Sequence, residues 1–381
     1  MSEIPGGTTS WDGRTTLLDR VIDPVETNAG GDLGHYLVVV DGAEPGRRIE
    51  LGETALAIGR VQPCDIVFAD EEVSRRHCTV GVLMGQVVVT DLKSTNGTFV
   101  DGKLIDGVAT VPVGSLLQIG RQLLKYERRS RREIAASEEL NRDLDRAGRY
   151  VQSLLPAPIA SGPITTNWIY LPSARLGGDV FGYHAFNDHA FAVYLVDVSG
   201  HGVEAAMHAV GVMNVLRQRV LPHTDFKRPA EVVARLNAMF PMEQHSSMFF
   251  TIWYGVFDAA RRVIDYCSAG HHPAYLLSSD RKQMSALHTG NLAVGVMPDV
   301  EFKPGSSEVP PGATLYVFSD GVFEIVTRQG QRWELDDFLP LLSAASVPGM
   351  GETERLHERV REVARPGGFD DDFSLLAVTF S

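Results

Sequence analysis

Residues 36–126 carry short apolar runs separated by turn-forming residues: YLVVV, ALAIGR, DIVF, CTVGVL, QVVVTDL, TFV and LLQIG. Runs of this length, rich in β-branched residues and joined by turns such as Asp41-Gly42 and Asp101-Gly102, predict a β-sandwich. The pattern then changes. From Glu127 to Leu155 charged residues dominate, and Leu140, Leu144, Ala147, Val151 and Leu154 recur in alternating steps of four and three. Such steps set them on one helical seam, which should stop before Pro156 because proline disfavours helical geometry in the residue preceding it. Beyond Pro156, strand-like runs (FAVYLVDV, FFTIWYGVFD, RVIDYCSA, AYLLS, ATLYVFSD, FSLLAVTF) alternate with helical stretches near 203–220, 229–239 and 352–363. This is the pattern of an α+β layered sandwich.

The chain therefore divides into a Gly- and Thr-rich arm (1–33), a β-sandwich (34–126), a helical linker (127–155) and an α+β domain (156–381). The length of 381 residues agrees, since one hydrophobic core rarely serves a chain of that size. The seam covers about two heptads, short for a coiled coil but too apolar to leave in water. It predicts a homodimer contact or packing on the domain that follows. Val151 and Leu154 suit either, whereas Leu140 and Leu144 point to a partner helix.

A net charge of -13 opposes binding to a nucleic-acid backbone, which depends on Lys and Arg displacing counterions. The start of the chain has no apolar leader, and no run approaches the ~20 residues that cross a bilayer. Cys64, Cys78 and Cys267 are too scattered for a disulfide framework. A cytoplasmic protein that binds neither membrane nor nucleic acid is expected.

Three islands stand between the predicted strands of the sandwich: Gly59-Arg60, Ser74-Arg75-Arg76-His77 and Ser94-Thr95-Asn96-Gly97. Arg60 and Arg75 offer guanidinium donors to a dianion, Ser74 and Thr95 add hydroxyls, and Asn96 can bond a peptide backbone as donor and acceptor. Alone, each island reads as a turn or a solvated charge; in this order they read as a phosphate pocket beside a peptide rest. Their order and spacing resemble the forkhead-associated (FHA) domain. The resemblance implies phosphothreonine-peptide binding by Arg60, Ser74, Arg75, Thr95 and Asn96, with His77 as a loop brace. Thr8, Thr9, Thr15 and Thr16 in the arm are candidate phosphorylation sites, which makes the chain's own arm a possible ligand.

Four acidic motifs mark the C-terminal domain: Gly177-Gly178-Asp179, Asp197-Val198-Ser199-Gly200-His201-Gly202, Ser319-Asp320-Gly321 and Asp370-Asp371-Asp372-Phe373-Ser374. VYLVD and LYVFSD end in Asp where a buried strand emerges, and antiparallel pairing would bring the start of FSLLAVTF to the same rim. Converging carboxylates repel unless a cation sits among them. With oxygen ligands alone, Mg²⁺ or Mn²⁺ suits them better than Zn²⁺. A pair of such ions could activate water for in-line attack on phosphorus.

These motifs, with Ser268-Ala269-Gly270-His271, resemble the metal-dependent type 2C protein phosphatases and more closely their SpoIIE-like branch. The resemblance implies that Asp197 bridges two ions with help from the Val198 carbonyl, that Asp320 and Asp371 complete one site, and that Asp179 serves the other directly or through water. It implies a phosphoserine or phosphothreonine protein substrate, an anti-sigma-factor antagonist in many relatives. Three details stay open at this level. Asp372 competes with Asp371 as the ligand, and Gly182 stands where many relatives carry an additional Asp. His271 and His272 read either as general acids or as polar residues at a strand end. Ser199 and His201 read as turn-shaping residues, since no oriented third member of a nucleophilic triad is evident. The competing reading is a catalytically weak adaptor that recruits phosphoproteins through the sandwich.

Overall fold

The computed structural model describes residues 32–186 and 189–381; the arm, with Thr8, Thr9, Thr15 and Thr16, lies outside the described residues as far as Gly31. The described residues form two compact units, divided between Leu140 and Asn141.

In the first unit the apolar runs form two sheets. One has the strand order Arg48–Leu51, Leu33–Asp41, Gln122–Ser130, Leu116–Ile119, Thr98–Val100, Lys103–Leu104; the other runs Ile66–Val67, Leu56–Gly59, Cys78–Leu83, Gln86–Asp91, Val108–Val111. Alternation along the strands sends Leu37, Val39, Val87, Val89, Leu117 and Leu124 into one shared core. The loops bearing Arg60, Ser74 and Thr95 interrupt these strands, as expected.

The helical linker starts later than its charge pattern suggests. The strand Gln122–Ser130 continues because Glu127, Arg128, Arg129 and Ser130 pair with Tyr36, His35, Gly34 and Leu33. A strand with one face in solvent tolerates such charges. Helix α1 then spans Arg131–Leu154 and ends before Pro156.

The second unit stacks two five-stranded sheets. The first has the order Asp179–Ala185, Ala190–Val198, Phe250–Asp258, Val263–Ala269, Gly305–Glu308, and is covered by α2 (Val203–Gln218) and α3 (Pro229–Met239). The second runs Ile164–Leu171, Phe373–Phe380, Ala313–Phe318, Ala274–Leu277, Met284–Leu287. Its outer face packs Phe318 and Phe373 against Phe338 of α4 (Leu335–Ser343) and Leu356 of α5 (Glu352–Val363). α4 is a helix the sequence pattern does not reveal. It contains Pro340, and its start is fixed by a capping box between Glu334 and Asp337. Between the sheets lie Leu195, Trp253, Val317, Leu376 and Val378.

From Asn141 onward, α1 belongs to this second unit. Val151 is buried with Leu176 and Ala206, Leu144 packs against the same cluster, and Leu154 packs on the main core. The expectation that Leu144 faces a partner helix is thereby corrected: the loop before Asp179 and helix α2 already cover it. Leu140, by contrast, is 60% exposed. Arg175 donates to the Asn141 carbonyl at 3.2 Å and pairs with Asp145. Gly148 permits this docking, because a Cβ there would overlap the Arg175 carbonyl. Among the described residues no helix is long and apolar enough to cross a membrane.

Candidate functional site

In the first unit Arg60, Ser74, Arg75, Thr95 and Asn96 all line one cavity of about 650 Å³, with Arg76 and Lys93 beside them. The loops are held by their own polar atoms. The Ser74 hydroxyl accepts from the Thr95 amide at 2.9 Å and donates to the Thr95 hydroxyl at 3.3 Å. Asn96 Nδ2 donates to the Glu72 carbonyl at 2.9 Å. Beneath them His77 is fully buried: its Nδ1 accepts from the Ser74 amide and its Nε2 donates to the Gly97 carbonyl, both at 3.1 Å. Burial lowers the pKa of this imidazole, consistent with a neutral ring, so His77 links the Ser74 and Gly97 loops as a brace. Among the described residues, none of Arg60, Arg75, Arg76 and Lys93 enters an ion pair, and these four cations outnumber the two acids, Glu71 and Glu72, that line the same cavity.

In the second unit the register sets the acids. Asp179 lies directly opposite Asp197 on the neighbouring antiparallel strand, and Asp197 lies directly opposite Thr251 on the next. Phe318 pairs with Leu375, which brings the turn beginning at Asp320 to the residues preceding Phe373. Asp197, Val198, Asp320 and Asp371 thus line one cavity of about 490 Å³ at the ends of the two sheets.

Asp179 is placed differently from these three acids, Asp197, Asp320 and Asp371. It is buried behind the cavity wall, where its Oδ2 accepts from the Ser374 hydroxyl at 2.6 Å. Asp372 is also tied down: one carboxylate oxygen accepts from the Ser173 amide and hydroxyl, at 2.7 and 2.9 Å, and the other from the Gly178 amide at 2.6 Å. The Asp371 carboxylate accepts from the Asp372 amide at 2.8 Å. Asp372 thus fastens the loop before Asp179 to the strand Phe373–Phe380. That role is hidden in a run of three acids.

The electrostatics call for a cation. Burial, then the charges of Asp320 and Asp371, pushes Asp197 up to about 8. Burial and then Asp371 push Asp320 to about 6, burial raises Asp371, and burial followed by Asp197 raises Asp179 well above the carboxylate range. Carboxyls so disfavoured as a group of anions fit a hard divalent ion with oxygen ligands and retained water. Among the described residues no three acidic, His or Cys side chains are already drawn into a finished ion cage. An ion here would have to draw Asp197, Asp320 and Asp371 inward from the cavity wall.

The remaining candidates resolve more simply. Ser199 bonds the Phe249 backbone through both its amide and its hydroxyl, at 2.9 and 3.1 Å, and shapes the turn into α2. His271 and His272 donate from Nδ1 to backbone carbonyls at 2.8 and 2.9 Å, and neither lines the cavity. Burial lowers both pKa values, His272 to about 4, so they are neutral polar residues at a strand end. Gly182 lies opposite Tyr194, and a Cβ there would overlap the Tyr194 hydroxyl. An acid at that position would displace the ring.

A β-sandwich with cationic loops, followed by a two-sheet α+β unit with carboxyls at the sheet ends, defines a two-unit protein with one cation-lined and one carboxylate-lined cavity. The family "Stage II sporulation protein E (SpoIIE)" matches residues 187–381, just over half of the chain, and "FHA domain" matches residues 56–120. The chain belongs to the SpoIIE family and carries an FHA domain ahead of it. It is 27% identical over 184 residues to "Phosphoserine phosphatase RsbP" of Bacillus subtilis, covering 48% of this chain and 45% of that protein. Over 90 residues it is 37% identical to "FHA domain-containing protein FhaB" of Mycobacterium tuberculosis, covering 24% of this chain and 58% of that protein. The chain thus spans about half the length of these relatives. The SiaA-PP2C domain of Pseudomonas aeruginosa shares the fold of the second unit, with a TM-score of 0.57 at 20% identity over 65% of this chain and 99% of that one.

Proposed function

We propose that the chain is a metal-dependent protein serine/threonine phosphatase whose SpoIIE-type unit hydrolyses a phosphoserine or phosphothreonine in a protein, targeted or regulated by phosphothreonine binding at its FHA unit. The observation that carries this reading is the convergence of Asp197 from one sheet with Asp320 and Asp371 from the other on one cavity. Mg²⁺ or Mn²⁺, two ions in this reading, supplies when bound the charge that lets these carboxylates ionise together and the Lewis acidity that makes water a nucleophile for phosphorus. Asp197 would hold both ions with the Val198 carbonyl, and Asp320 and Asp371 one of them. Asp179, set behind the wall, would reach the other through water.

Residues 34–130 would constitute the FHA domain, α1 the linker and 156–381 the phosphatase domain, in a cytoplasmic protein. The FHA cavity would take the phosphate on Arg60, Ser74, Arg75 and Thr95 and the peptide backbone on Asn96. Anti-sigma-factor antagonists are the proposed substrates, and Leu140 the proposed homodimer contact.

The decisive experiment is hydrolysis of p-nitrophenyl phosphate as Mn²⁺ is titrated, for the native chain and for Asp197→Asn. We expect metal-dependent turnover and a loss of about 100-fold or more in the variant. Equal rates would remove the metal reading. Phosphopeptide binding without any metal-dependent turnover would leave the adaptor reading in its place.

A further inference from the structure

Thr251 and Asp197 stand directly opposite one another on adjacent antiparallel strands, and both line the acidic cavity. Directly opposed residues have Cβ atoms about 5 Å apart on the same face of the sheet, within reach of a hydroxyl and a carboxylate. The Thr251 hydroxyl oxygen is buried and lacks a hydrogen-bond partner among the described residues. A buried hydroxyl without a partner keeps the cost of its lost hydration, so its persistence calls for a reason. Its neighbour has the complementary need. Asp179 is bonded by Ser374, Asp372 by Ser173 and Gly178, and Asp371 by the Asp372 amide, whereas no hydrogen bond among the described residues reaches the Asp197 carboxylate.

We propose that Thr251 is a positioning residue for Asp197: once that carboxylate is ionised, the Thr251 hydroxyl donates to one of its oxygens and fixes the direction in which the other oxygen faces the cavity. The inference rests on the reading of Asp197 as the principal metal-holding residue. A valine has the same branched shape and fills the same strand position, but offers no donor. Serine keeps the donor and loses the methyl group. Outer hydrogen bonds to metal-holding side chains typically contribute about 10- to 100-fold in metal affinity or activity.

The test is Mn²⁺ binding to the full chain, measured by the paramagnetic resonance signal of free Mn²⁺, for Thr251→Val, Thr251→Ser and Asp197→Ala. We expect Thr251→Val to weaken Mn²⁺ binding about 10-fold and Thr251→Ser to recover it to within about threefold of native. The metal-free melting temperature of Thr251→Val should be unchanged or higher, because the substitution removes an unsatisfied hydroxyl without leaving a cavity. Native Mn²⁺ affinity in Thr251→Val, or equal weakening in the valine and serine variants, would overturn the proposal while Asp197→Ala still abolished binding. Native binding in Asp197→Ala would overturn the proposal together with the metal reading on which it rests.

Discussion

Asp179 and Asp197 are cross-strand partners whose carboxyls share one face of the sheet, yet only Asp197 reaches the cavity, while Asp179 is held behind it by the Ser374 hydroxyl. Two buried acids in adjacent register cannot both ionise without compensation. The pair therefore couples the stability of the domain to pH and to metal.

The metal-free protein should become less stable as pH rises. Asp197 titrates near 8 in the folded chain, well above its value in an unfolded one, so between those values the folded state holds a proton that unfolding releases. Stability then falls with rising pH across that window, with Asp320 adding to the lower part. In EDTA the melting temperature should drop by roughly 5–10 °C between pH 6 and pH 8. Saturating Mn²⁺ should flatten that slope, and a slope of the same size with and without Mn²⁺ would contradict it.

Asp371 and Asp372, adjacent in sequence, should behave oppositely. Asp371→Asn should reduce metal-dependent turnover by about 100-fold with little loss of stability, since it removes one of several repelling acids. Asp372→Asn sets an amide NH₂ against the Gly178 amide or the Ser173 donors and should cost about 1–3 kcal/mol in urea unfolding. A stable, inactive Asp372→Asn beside an active Asp371→Asn would reverse the assignment.

Gly148→Ala should destabilise the second unit even though alanine is the better helix former by about 1 kcal/mol. The added methyl group meets the Arg175 carbonyl, and Arg175 belongs to the loop that Asp372 fastens beside Asp179. We expect a net loss of about 1–2 kcal/mol with lower turnover, measured by thermal melting and p-nitrophenyl phosphate hydrolysis. A more stable variant would show that α1 can lift from the loop freely.

Arg60→Ala should abolish phosphothreonine-peptide binding, by fluorescence anisotropy, and leave p-nitrophenyl phosphate hydrolysis within about twofold, since a charge-assisted pair of this kind contributes only to the ligand it touches. Phosphorylating the arm at Thr8, Thr9, Thr15 or Thr16 should weaken binding of an external phosphopeptide by competition at high effective concentration. Unchanged affinity after phosphorylation would exclude the arm as ligand.

Much of this protein was legible in its sequence because local pattern and local chemistry coincide. Short β-branched apolar runs, Asp-Gly turns and the stop before Pro156 set the sandwich and the helix end. α3 and α5 occupy the predicted spans 229–239 and 352–363, and the FHA and phosphatase motifs stood in readable order. What the tertiary structure decided were matters of partnership, which no local pattern carries. Four charged or polar residues became strand rather than helix because Leu33–Tyr36 lie beside them. Leu144 faces its own domain because Leu176 and Ala206 are there to cover it. Asp372, which the sequence left only as a competitor to Asp371, became a fastener because donors 194 and 199 residues away converge on it. Spacing along the chain sets which side chains share a face. Long-range strand register sets which of them meet, and that register decided which acids line the cavity and which stand behind it.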